Sequence, residues 1–559
     1  MSKWIDGVRG RLGRFARSES ARALALFCAI VAGLATIKIP FTEHAFGPLP
    51  DGGYYQNIAQ HVRDGHGLIT DLSLAYKGAP DLPYPTDMYP LWPLVYGYAA
   101  RFLPLEATGH WLPATLYFVA LAFAYLWARG LYAQQLFPRA LPNFNAGHLL
   151  VVMLGLDSEF FRYTSYPYTE GLTYCLVFAG LWRANSLLRR PSLLRGLELG
   201  VWIGLATLSR KQQFILALAA GAVLGAAVVF TEAEHRKPIA KHGLGTLLGF
   251  VAVCAPHYWY MSTIFPRMKP AQFLRWDQNQ HTRVLPPLPT LRAVKGLWPY
   301  LKDRAAGIPV AFGKSKWSYT NQYYTFQYAP FAAFPLALRL AWERRGEPLV
   351  PRWRALWDPE GLPRTYAAVV ALAGFFSIHT MHMHTEGSAE WMFAARHAIT
   401  SIYLFFFALV FVLAADRAPW KAIGVFILAS SCYLGVVRVH DWSEAVENGV
   451  PIPEPALAKW LDAEKARRGK LIVAARQPQV LAEFTPGVGY HWFHDKTTYA
   501  DICAMTTKLG VDYVIAGPRP IPPFTRDKAY LAAFDDVETI GGWHVWAPKP
   551  TGPCMPPPQ

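Results

Sequence analysis

The sequence predicts an all-α polytopic membrane domain followed by a small extracytoplasmic α/β domain. The chain of 559 residues is 53% hydrophobic and only 16% charged, whereas soluble proteins carry about 25% charged residues. Apolar runs recur along the first 440 residues, and many approach the ~20 residues that a helix needs to cross hydrocarbon. Beyond Asp441 the apolar runs shorten and alternate with polar helical patterns, which is typical of a mixed α/β fold.

The length of the apolar runs predicts about eleven transmembrane helices. The fifth and sixth could instead form one broken or re-entrant unit. The predicted spans are 22–40, 111–136, 145–162, 168–188, 195–210, 212–231, 241–262, 326–343, 363–381, 397–415 and 419–438.

The basic residues indicate how these spans are oriented. The formal net charge is +16, but the basic side chains cluster in short segments between apolar runs. That distribution follows the positive-inside rule and argues against a nucleic-acid partner. No small-residue cleavage site follows the first run, so we expect an uncleaved first span and a cytoplasmic N-terminus. An odd number of spans places the C-terminal domain outside, and we expect a bacterial inner membrane with that domain in the periplasm.

The domain boundaries follow from these assignments. Residues 1–440 form the predicted transmembrane domain, with a first outer loop at 41–110 that carries juxtamembrane helices and a long outer loop at 263–325. Residues 441–549 form the α/β domain, for which the lack of a Gly-rich nucleotide motif favours a packing or acceptor-recognition role. Residues 550–559 are Pro-rich and predicted to be disordered. Cys503 and Cys554 could pair if this region is extracytoplasmic, but the sequence alone leaves this open.

The first outer loop holds the most distinctive pattern. It opens with Asp51, and the apolar stripe Tyr54, Ile58 and Val62 then predicts a short amphipathic helix along the membrane surface. Asp51 is either the N-cap of this helix or a functional carboxylate. The run YPTDMYPLWPLVYGY follows, and it suits either an interfacial aromatic belt or a platform for a sugar or lipid.

Together these motifs resemble the GT-C superfamily of integral membrane glycosyltransferases, especially the dolichyl-phosphate-mannose–protein mannosyltransferases and the bacterial aminoarabinose transferases. The superfamily often places a second acidic residue directly after the first, but here that residue is Gly52. The matching residues are Asp51, Tyr55, Ala59, Gly65, Gly67, Leu68, Tyr89, Pro90, Leu91, Pro93 and Leu94.

A second acidic cluster lies at the outer end of the third predicted span. Asp157 and Glu159 form an acid-x-acid pair, and Glu170 lies eleven residues after Glu159. Carboxylates near a membrane boundary are costly and are therefore functional candidates, and the resemblance implies an acidic motif at this second outer loop. The alternatives are an ion pair with Arg162 for Glu159 and an N-cap role for Glu170.

Basic residues on the outer side predict where an anion binds. Arg210 and Lys211 lie at the outer tip between the fifth and sixth spans, where basic residues are normally avoided. A polyprenyl phosphate would explain them, although snorkelling of the two side chains to the interface is the simpler alternative. Arg396 opens the tenth span and is a second candidate for contact with the donor phosphate or its sugar.

The resemblance implies transfer of a hexosyl or pentosyl group, an activity of EC class 2.4, from a polyprenyl-phosphate donor to a glycan, lipid or protein acceptor on the outer face. Asp51 is the predicted general base, assisted by Asp157, and a single base predicts inversion at the anomeric carbon. A divalent cation (Mg²⁺, Mn²⁺ or Ca²⁺) is a candidate cofactor, with Asp87 and Glu159 as ligands. The predicted acceptor or sugar contacts are Glu170, Tyr55, Tyr89, Trp92 and Trp276.

Two other functions stay open on sequence alone. A transporter or flippase for lipid-linked glycans would show inverted repeats and matched broken helices, and we find neither in the sequence. A polymerase or ligase that uses pyrophosphate-linked donors would favour more Arg residues in a late outer loop. The sequence leaves the sugar, the acceptor, metal dependence and the oligomeric state undetermined.

Overall fold

The computed structural model describes residues 19–44, 50–73, 82–86, 89–137, 141–264, 354–385, 398–413 and, with short gaps, 455–554. The chain divides into two compact units. We call the first the helical unit, which comprises Met1–Phe41, Pro113–Thr164 and Thr169–Trp442. We call the second the sheet unit, which comprises Thr42–Leu112, Ser165–Tyr168 and Ser443–Gln559.

Long apolar helices dominate the helical unit. The first, α1, continues from this unit into the sheet unit. In chain order the helices are α1 Glu19–His44, α4 Leu105–Leu131, α5 Ala146–Gly155, α6 Ser158–Tyr163, α7 Glu170–Leu187, α8 Leu193–Ser209, α9 Ile215–Phe230, α10 Ala233–Ile264, α11 Leu362–Thr385 and α12 Ala398–Leu413. A short hairpin of β4 Gln135–Phe137 and β5 Leu141–Asn145 precedes α5.

These helices occupy nine of the predicted spans, and the remaining two, 326–343 and 419–438, lie outside the described residues. Within the described part of the chain, four helices are long and apolar enough to cross a membrane: Ser20–Glu43, Leu105–Leu131, Lys211–Phe230 and Ala233–Thr263. The mostly helical membrane architecture is therefore confirmed, and the total of eleven spans stays a prediction.

The predicted single span at 145–162 is wrong as one continuous helix. Helix α5 ends at Gly155, and α6 begins at Ser158 with Asp157 as its N-cap. The Asp157 carboxylate accepts a hydrogen bond from the Phe160 amide at 2.8 Å. The first helix has Leu156 as its C-cap, and Asp157, with the non-helical backbone angles of an N-cap residue, starts the next.

Glycines bring α8 and α10 into close contact. A Cβ atom at Gly200 would lie 2.1 Å from the Thr246 carbonyl oxygen, and one at Gly249 would lie 2.2 Å from the Leu197 carbonyl oxygen. Small residues allow this backbone approach between membrane helices, where packing replaces the hydrophobic effect as a source of stability. The contact fixes the direction of α8, which ends beside Arg210.

The sheet unit combines part of the first outer loop with the C-terminal region. Helices α2 Pro50–Arg63 and α3 Leu91–Ala99 come from the loop. The C-terminal region supplies α13 Pro455–Arg468, β6 Ile472–Ala475, β7 Gly489–Trp492, α14 Tyr499–Leu509, β8 Tyr513–Ala516, α15 Lys528–Ala533, β9 Phe534–Ile540 and β10 Trp543–Pro548. The loop also contributes β1 Ile69–Thr70, β2 Leu72–Ser73 and β3 Tyr84–Pro85, of which β1 and β3 pair antiparallel.

The six-stranded sheet has the strand order β2-β7-β6-β8-β10-β9. Strands β2, β7, β6 and β8 run parallel, and β10 pairs antiparallel with β8 and β9. Alternate side chains of β6 enter different cores. Val473 packs with Leu457 and Leu461 of α13, whereas Ala474 packs with Ile502 and Met505 of α14. Helices therefore cover both faces of this sheet, as is usual where the central strands are parallel.

One strand of the sheet comes from the first outer loop. Leu72 of β2 pairs with Tyr490 of β7, and the core beneath it includes Tyr54 and Ile58 of α2. The sequence assigns residues 41–110 to the transmembrane domain, but much of that loop packs with the C-terminal sheet. The pattern of α2 predicts that its apolar stripe faces the membrane, whereas part of the stripe faces this core.

The beginning of the C-terminal tail is also packed. Cys554 is fully buried and forms a disulfide with Cys503. The Gly552 amide donates to the Lys549 carbonyl at 2.9 Å. Residues 551–554, which their Pro-rich composition led us to expect as disordered, therefore belong to the folded unit because the disulfide ties them to α14.

The stability of the sheet unit should depend on the protonation of His491. This side chain in β7 is 2% exposed, and burial lowers its pKa from 6.5 to about 4. In the unfolded chain the His491 imidazole binds a proton as the pH falls below about 6.5, but in the folded chain it does so only near pH 4. The free energy of unfolding should therefore fall, by on the order of a few kcal/mol, as the pH drops from 6.5 to 4.

Urea unfolding of the full chain in detergent, followed by tryptophan fluorescence across this pH range, measures the effect. The variant His491→Gln should lose most of the pH dependence, and His66→Gln, which alters an exposed histidine, should keep it. An unchanged pH profile in His491→Gln would exclude His491 as the source.

Candidate active site

The corner between α8 and α9 presents Arg210. Helix α8 ends at Ser209, and Arg210 adopts an extended backbone with φ −162° and ψ 117°. A single 3-10 turn, Lys211–Phe214, then leads into α9. The predicted fifth and sixth spans are therefore two helices that meet at a tight polar corner, with Arg210 buried and Lys211 half-buried.

Arg210 forms a buried ion pair with Glu170. Its Nη1 atom lies 2.6 Å from the Glu170 Oε1 atom, and the two side chains are 9% and 1% exposed. The same nitrogen is 3.5 Å from the Thr169 hydroxyl. Glu170 is the first residue of α7, so the pair joins the start of α7 to the end of α8. Both residues were predicted as site residues, but their pairing with each other was not anticipated.

Tyr174 lies near both this pair and Asp157. The Asp157 and Glu170 carboxylates and the Arg210 guanidinium all lie within electrostatic range of the Tyr174 phenol. The phenol is fully buried and accepts a hydrogen bond from the Ser401 hydroxyl at 3.2 Å. Three of the predicted site residues therefore share one neighbourhood inside the helical unit.

Lys38 is a buried polar residue that the sequence motifs did not predict. This residue lies within α1, is fully buried, and donates hydrogen bonds to the Phe161 carbonyl and, at 2.9 Å, to the Thr164 hydroxyl. Its ammonium also lies 5.0 Å from the centre of the Tyr117 ring. A lysine inside a membrane span is itself a signal of function, and we missed it because the surrounding run is strongly apolar. Lys38 thereby holds the C-terminal end of α6, where the segment that leads to Thr169 and α7 begins.

In the sheet unit, α2 places Asp51 in its first turn, since the helix begins at Pro50. The side chain of Asp51 lies outside the described part of the chain, so its role as general base stays a prediction. Gly52 is buried, and a Cβ atom there would lie 3.2 Å from Cγ of Pro167. This close contact leaves little room for the second carboxylate that the superfamily pattern places at this position.

The aromatic run packs against the same helix. A Cβ atom at Gly97 of α3 would lie 2.6 Å from the Ala59 carbonyl oxygen of α2. Trp92 is fully buried and donates from Nε1 to the Pro167 carbonyl at 3.0 Å. This position supports a packing role for Trp92 rather than the predicted sugar contact. Tyr55 is 5% exposed and Tyr89 is half-buried.

A polar group at the other end of α2 was also not anticipated. The His61 Nε2 and Asp71 Oδ2 atoms lie 2.8 Å apart, and Asn57 donates to the same carboxylate oxygen at 3.1 Å. The Asp71 carbonyl accepts a hydrogen bond from the Tyr490 amide at 2.8 Å. Asp71 thus joins α2 to the sheet. The spacing of Asn57 and His61 by four residues was the available signal, because both side chains project from one face of a helix.

Other predicted residues lie outside the described part of the chain, namely Asp87, Trp276 and Arg396. For Glu159 the structure describes the backbone, in the first turn of α6. The predicted metal ligands therefore stay untested. Among the described residues, the ligand atoms of Glu232, Glu234 and His235 lie within 4.8 Å of one another, but these residues were not predicted as ligands.

Removing one partner of the Arg210–Glu170 pair should destabilise the helical unit. Glu170→Gln or Arg210→Gln leaves a buried charge without its counter-charge, which costs about 3–5 kcal/mol. The double variant should cost less than the two single changes combined, because it leaves no unpaired charge. Unfolding of the three variants in detergent completes a double-mutant cycle, and strictly additive losses would contradict direct coupling.

Comparison with known proteins identifies the fold. No protein-family profile and no curated protein sequence matches the chain. Among solved structures, ArnT from Cupriavidus metallidurans bound to undecaprenyl phosphate has a TM-score of 0.51 at 11% identity and covers 96% of this chain and 99% of its own.

The second similar structure is the Archaeoglobus fulgidus oligosaccharyltransferase tethered to an acceptor peptide that contains an NVT sequon. It has a TM-score of 0.50 at 13% identity and covers 90% of this chain and 70% of its own. Identities this low establish the fold rather than a shared substrate. The helical membrane architecture and the C-terminal sheet agree with these two similarities, which show that the chain shares the fold of these two proteins.

Proposed function

We propose that the protein transfers a sugar from a polyprenyl-phosphate donor to a glycan, lipid or protein acceptor on the extracytoplasmic face of a bacterial inner membrane. The observation that carries this proposal is the buried ion pair of Arg210 and Glu170, with Tyr174 and the half-buried Asp157 nearby. Charged groups inside a membrane domain are costly to retain and mark functional sites. The solved neighbour with bound undecaprenyl phosphate supports this class of donor.

In the proposed reaction, Asp51 removes the proton from the acceptor hydroxyl. The resulting oxygen nucleophile attacks the anomeric carbon, and the bond from that carbon to the phosphate oxygen breaks. The bonding electrons leave with the polyprenyl phosphate. Attack from the face opposite the leaving group inverts the anomeric configuration, and no glycosyl-enzyme intermediate forms. General base catalysis of this kind contributes about 10²–10⁴-fold to a rate.

The leaving phosphate gains negative charge as the bond breaks, and Arg210, Lys211 and Arg396 offset it. The ion pair with Glu170 holds the Arg210 guanidinium in one orientation, and a guanidinium offers five N–H donors in a fixed geometry that suits a phosphate. Preorganised donors stabilise the transition state because they need no reorientation during the reaction. We therefore assign to Glu170 a positioning role toward Arg210 in place of direct acceptor contact.

A divalent cation would be held by Asp87, Glu159 and Asp157 and would neutralise phosphate charge. The Asp157 carboxylate caps α6 and would be one of these ligands. Carboxylates suit Mg²⁺, Mn²⁺ and Ca²⁺ alike. The rest of the proposed mechanism proceeds through residues of the chain and does not require the cation.

A disulfide in the sheet unit supports the proposed orientation of the protein in the membrane, with this unit in the periplasm. Its disulfide, Cys503–Cys554, is of a kind that forms in oxidising compartments and is rare in the bacterial cytoplasm. In the proposed orientation this unit is periplasmic, and α2 with Asp51 would lie on the face to which the donor is assigned. It also agrees with the basic cytoplasmic segments predicted from the charge pattern.

Replacing Asp51 tests the catalytic assignment. Asp51→Asn should reduce the rate of sugar transfer by about 10²–10⁴-fold, while donor binding and the melting temperature stay unchanged. Asp64→Asn is the matched control, because Asp64 directly follows α2 and pairs with Arg63 at the surface. Transfer measured by mass spectrometry with membrane-extracted donor separates the two variants. Full turnover by Asp51→Asn would remove Asp51 as the base.

The redox state of Cys503 and Cys554 tests whether the sheet unit lies in the periplasm. Mass spectrometry of the chain purified from membranes with free thiols blocked and without reductant should find Cys503 and Cys554 linked, and Cys175 and Cys254 as thiols. Cys554→Ser should lower the stability of the sheet unit by about 2–4 kcal/mol. Recovery of Cys503 and Cys554 as thiols from freshly lysed cells would contradict the periplasmic assignment.

A further inference from the structure

We propose that the helical unit binds an anionic diacyl phospholipid at the end of α8 opposite Arg210. Helix α8 has 17 residues, and at 1.5 Å per residue its two ends lie about 25 Å apart. A cavity of about 890 Å³ lies at its N-terminal end. The site proposed for the donor phosphate and this cavity therefore belong to opposite ends of one helix.

Three arginines line the cavity: Arg189, Arg190 and Arg195. Arg189 approaches Glu360 at 3.7 Å, and Glu360 is 85% exposed. Arg195 donates to the Arg190 carbonyl at 2.8 Å. Within the described part of the chain, neither Arg190 nor Arg195 forms an ion pair with a carboxylate. Their charges are therefore available to an anion that enters the cavity.

The N-terminus of α8 adds to the positive charge around the cavity. Ser192 caps the helix by accepting a hydrogen bond from the Arg195 amide at 3.3 Å, and the remaining first-turn amides give this end a partial positive charge. Two carboxylates, Asp358 and Glu360, also line the cavity. Asp358 accepts a hydrogen bond from the Thr231 hydroxyl at 3.1 Å. Three arginines and a helix N-terminus outweigh these two carboxylates, so the cavity favours an anion.

An apolar groove adjoins this cavity along α10. Pro238 lines the cavity, and the next two residues, Ile239 and Ala240, line a groove of about 370 Å³ between α9 and α10. Gly221 and Gly225 of α9 also line it, and a Cβ atom at either would meet no atom within 4 Å. The groove is therefore open space of apolar character beside the charged cavity.

The surrounding surface is suited to lipid. Leu194 at the cavity is 78% exposed, and Leu244 and Leu247 beside the groove are 53% and 57% exposed. A charged cavity next to an apolar groove on a lipid-facing surface matches an anionic head group with its acyl chain. Basic pockets between membrane helices on the cytoplasmic side bind such head groups, and the charge pattern of the sequence predicts this end to be cytoplasmic. The donor lipid is assigned to the opposite end of α8, where Arg210 lies.

Native mass spectrometry of the full chain in detergent tests the site, with phosphatidylglycerol and phosphatidylcholine as the two probes. Phosphatidylglycerol should bind more tightly. The variant Arg190→Gln/Arg195→Gln should weaken its binding by about tenfold or more. The control Lys237→Gln/Lys241→Gln removes the same charge from exposed positions of α10 outside the cavity and should change binding less than about twofold.

Two further measurements identify the occupant. Gly225→Leu should fill the groove and weaken long-chain phosphatidylglycerol, while leaving the binding of a dihexanoyl form unchanged. Undecaprenyl phosphate binding should be unaffected by the arginine variant. Equal losses in the arginine and lysine variants, no preference for phosphatidylglycerol, or parallel loss of undecaprenyl phosphate would each overturn the proposal. None of these measurements depends on sugar transfer, so they stand apart from the test of Asp51.

Discussion

The ion pair between Arg210 and Glu170 is the interaction on which the polar interior of the helical unit depends. Both side chains are nearly inaccessible to water, and charges in such an environment are tolerated only when they are paired and hydrogen-bonded. The pair joins the first residue of α7 to the residue that follows α8. It therefore stabilises a corner of the fold and, at the same time, holds the guanidinium in one orientation.

A second constraint acts on the helix that carries Asp51. Helix α2 packs on α3 through Gly97, and its Tyr54 and Ile58 belong to the core of the C-terminal sheet. Asp71 adds a polar anchor at the far end of the helix through His61 and Asn57. The helix is thus fixed along its length by three different contacts. A proposed base at its first turn gains a defined position from packing that lies entirely within the sheet unit.

Periodicity and charge predicted much of this architecture. Apolar length located the helices of the membrane domain, and the alternation of short segments located α13, β6, α14, β8 and β10. Strand β9 was not predicted because five of its seven residues are exposed, so its sequence lacks the apolar pattern of a strand. Strand β2 was not predicted because two residues form no pattern, and only its pairing with β7 makes it a strand. The break at Asp157 was not predicted because the length of an apolar run does not show where a helix cap interrupts it.

The sequence was sufficient for the properties that depend on composition and local order: a membrane chain, its basic segments, and the motifs around Asp51, Asp157 and Arg210 that resemble GT-C enzymes. Tertiary structure alone decided which of these residues meet. Arg210 pairs with a carboxylate 40 residues earlier, Lys38 bonds to groups more than 120 residues later, and the first loop completes the last domain. Contacts over such separations arise from packing, which depends on the shapes of the elements and on the cost of burying charge. A local sequence pattern predicts neither of these two quantities.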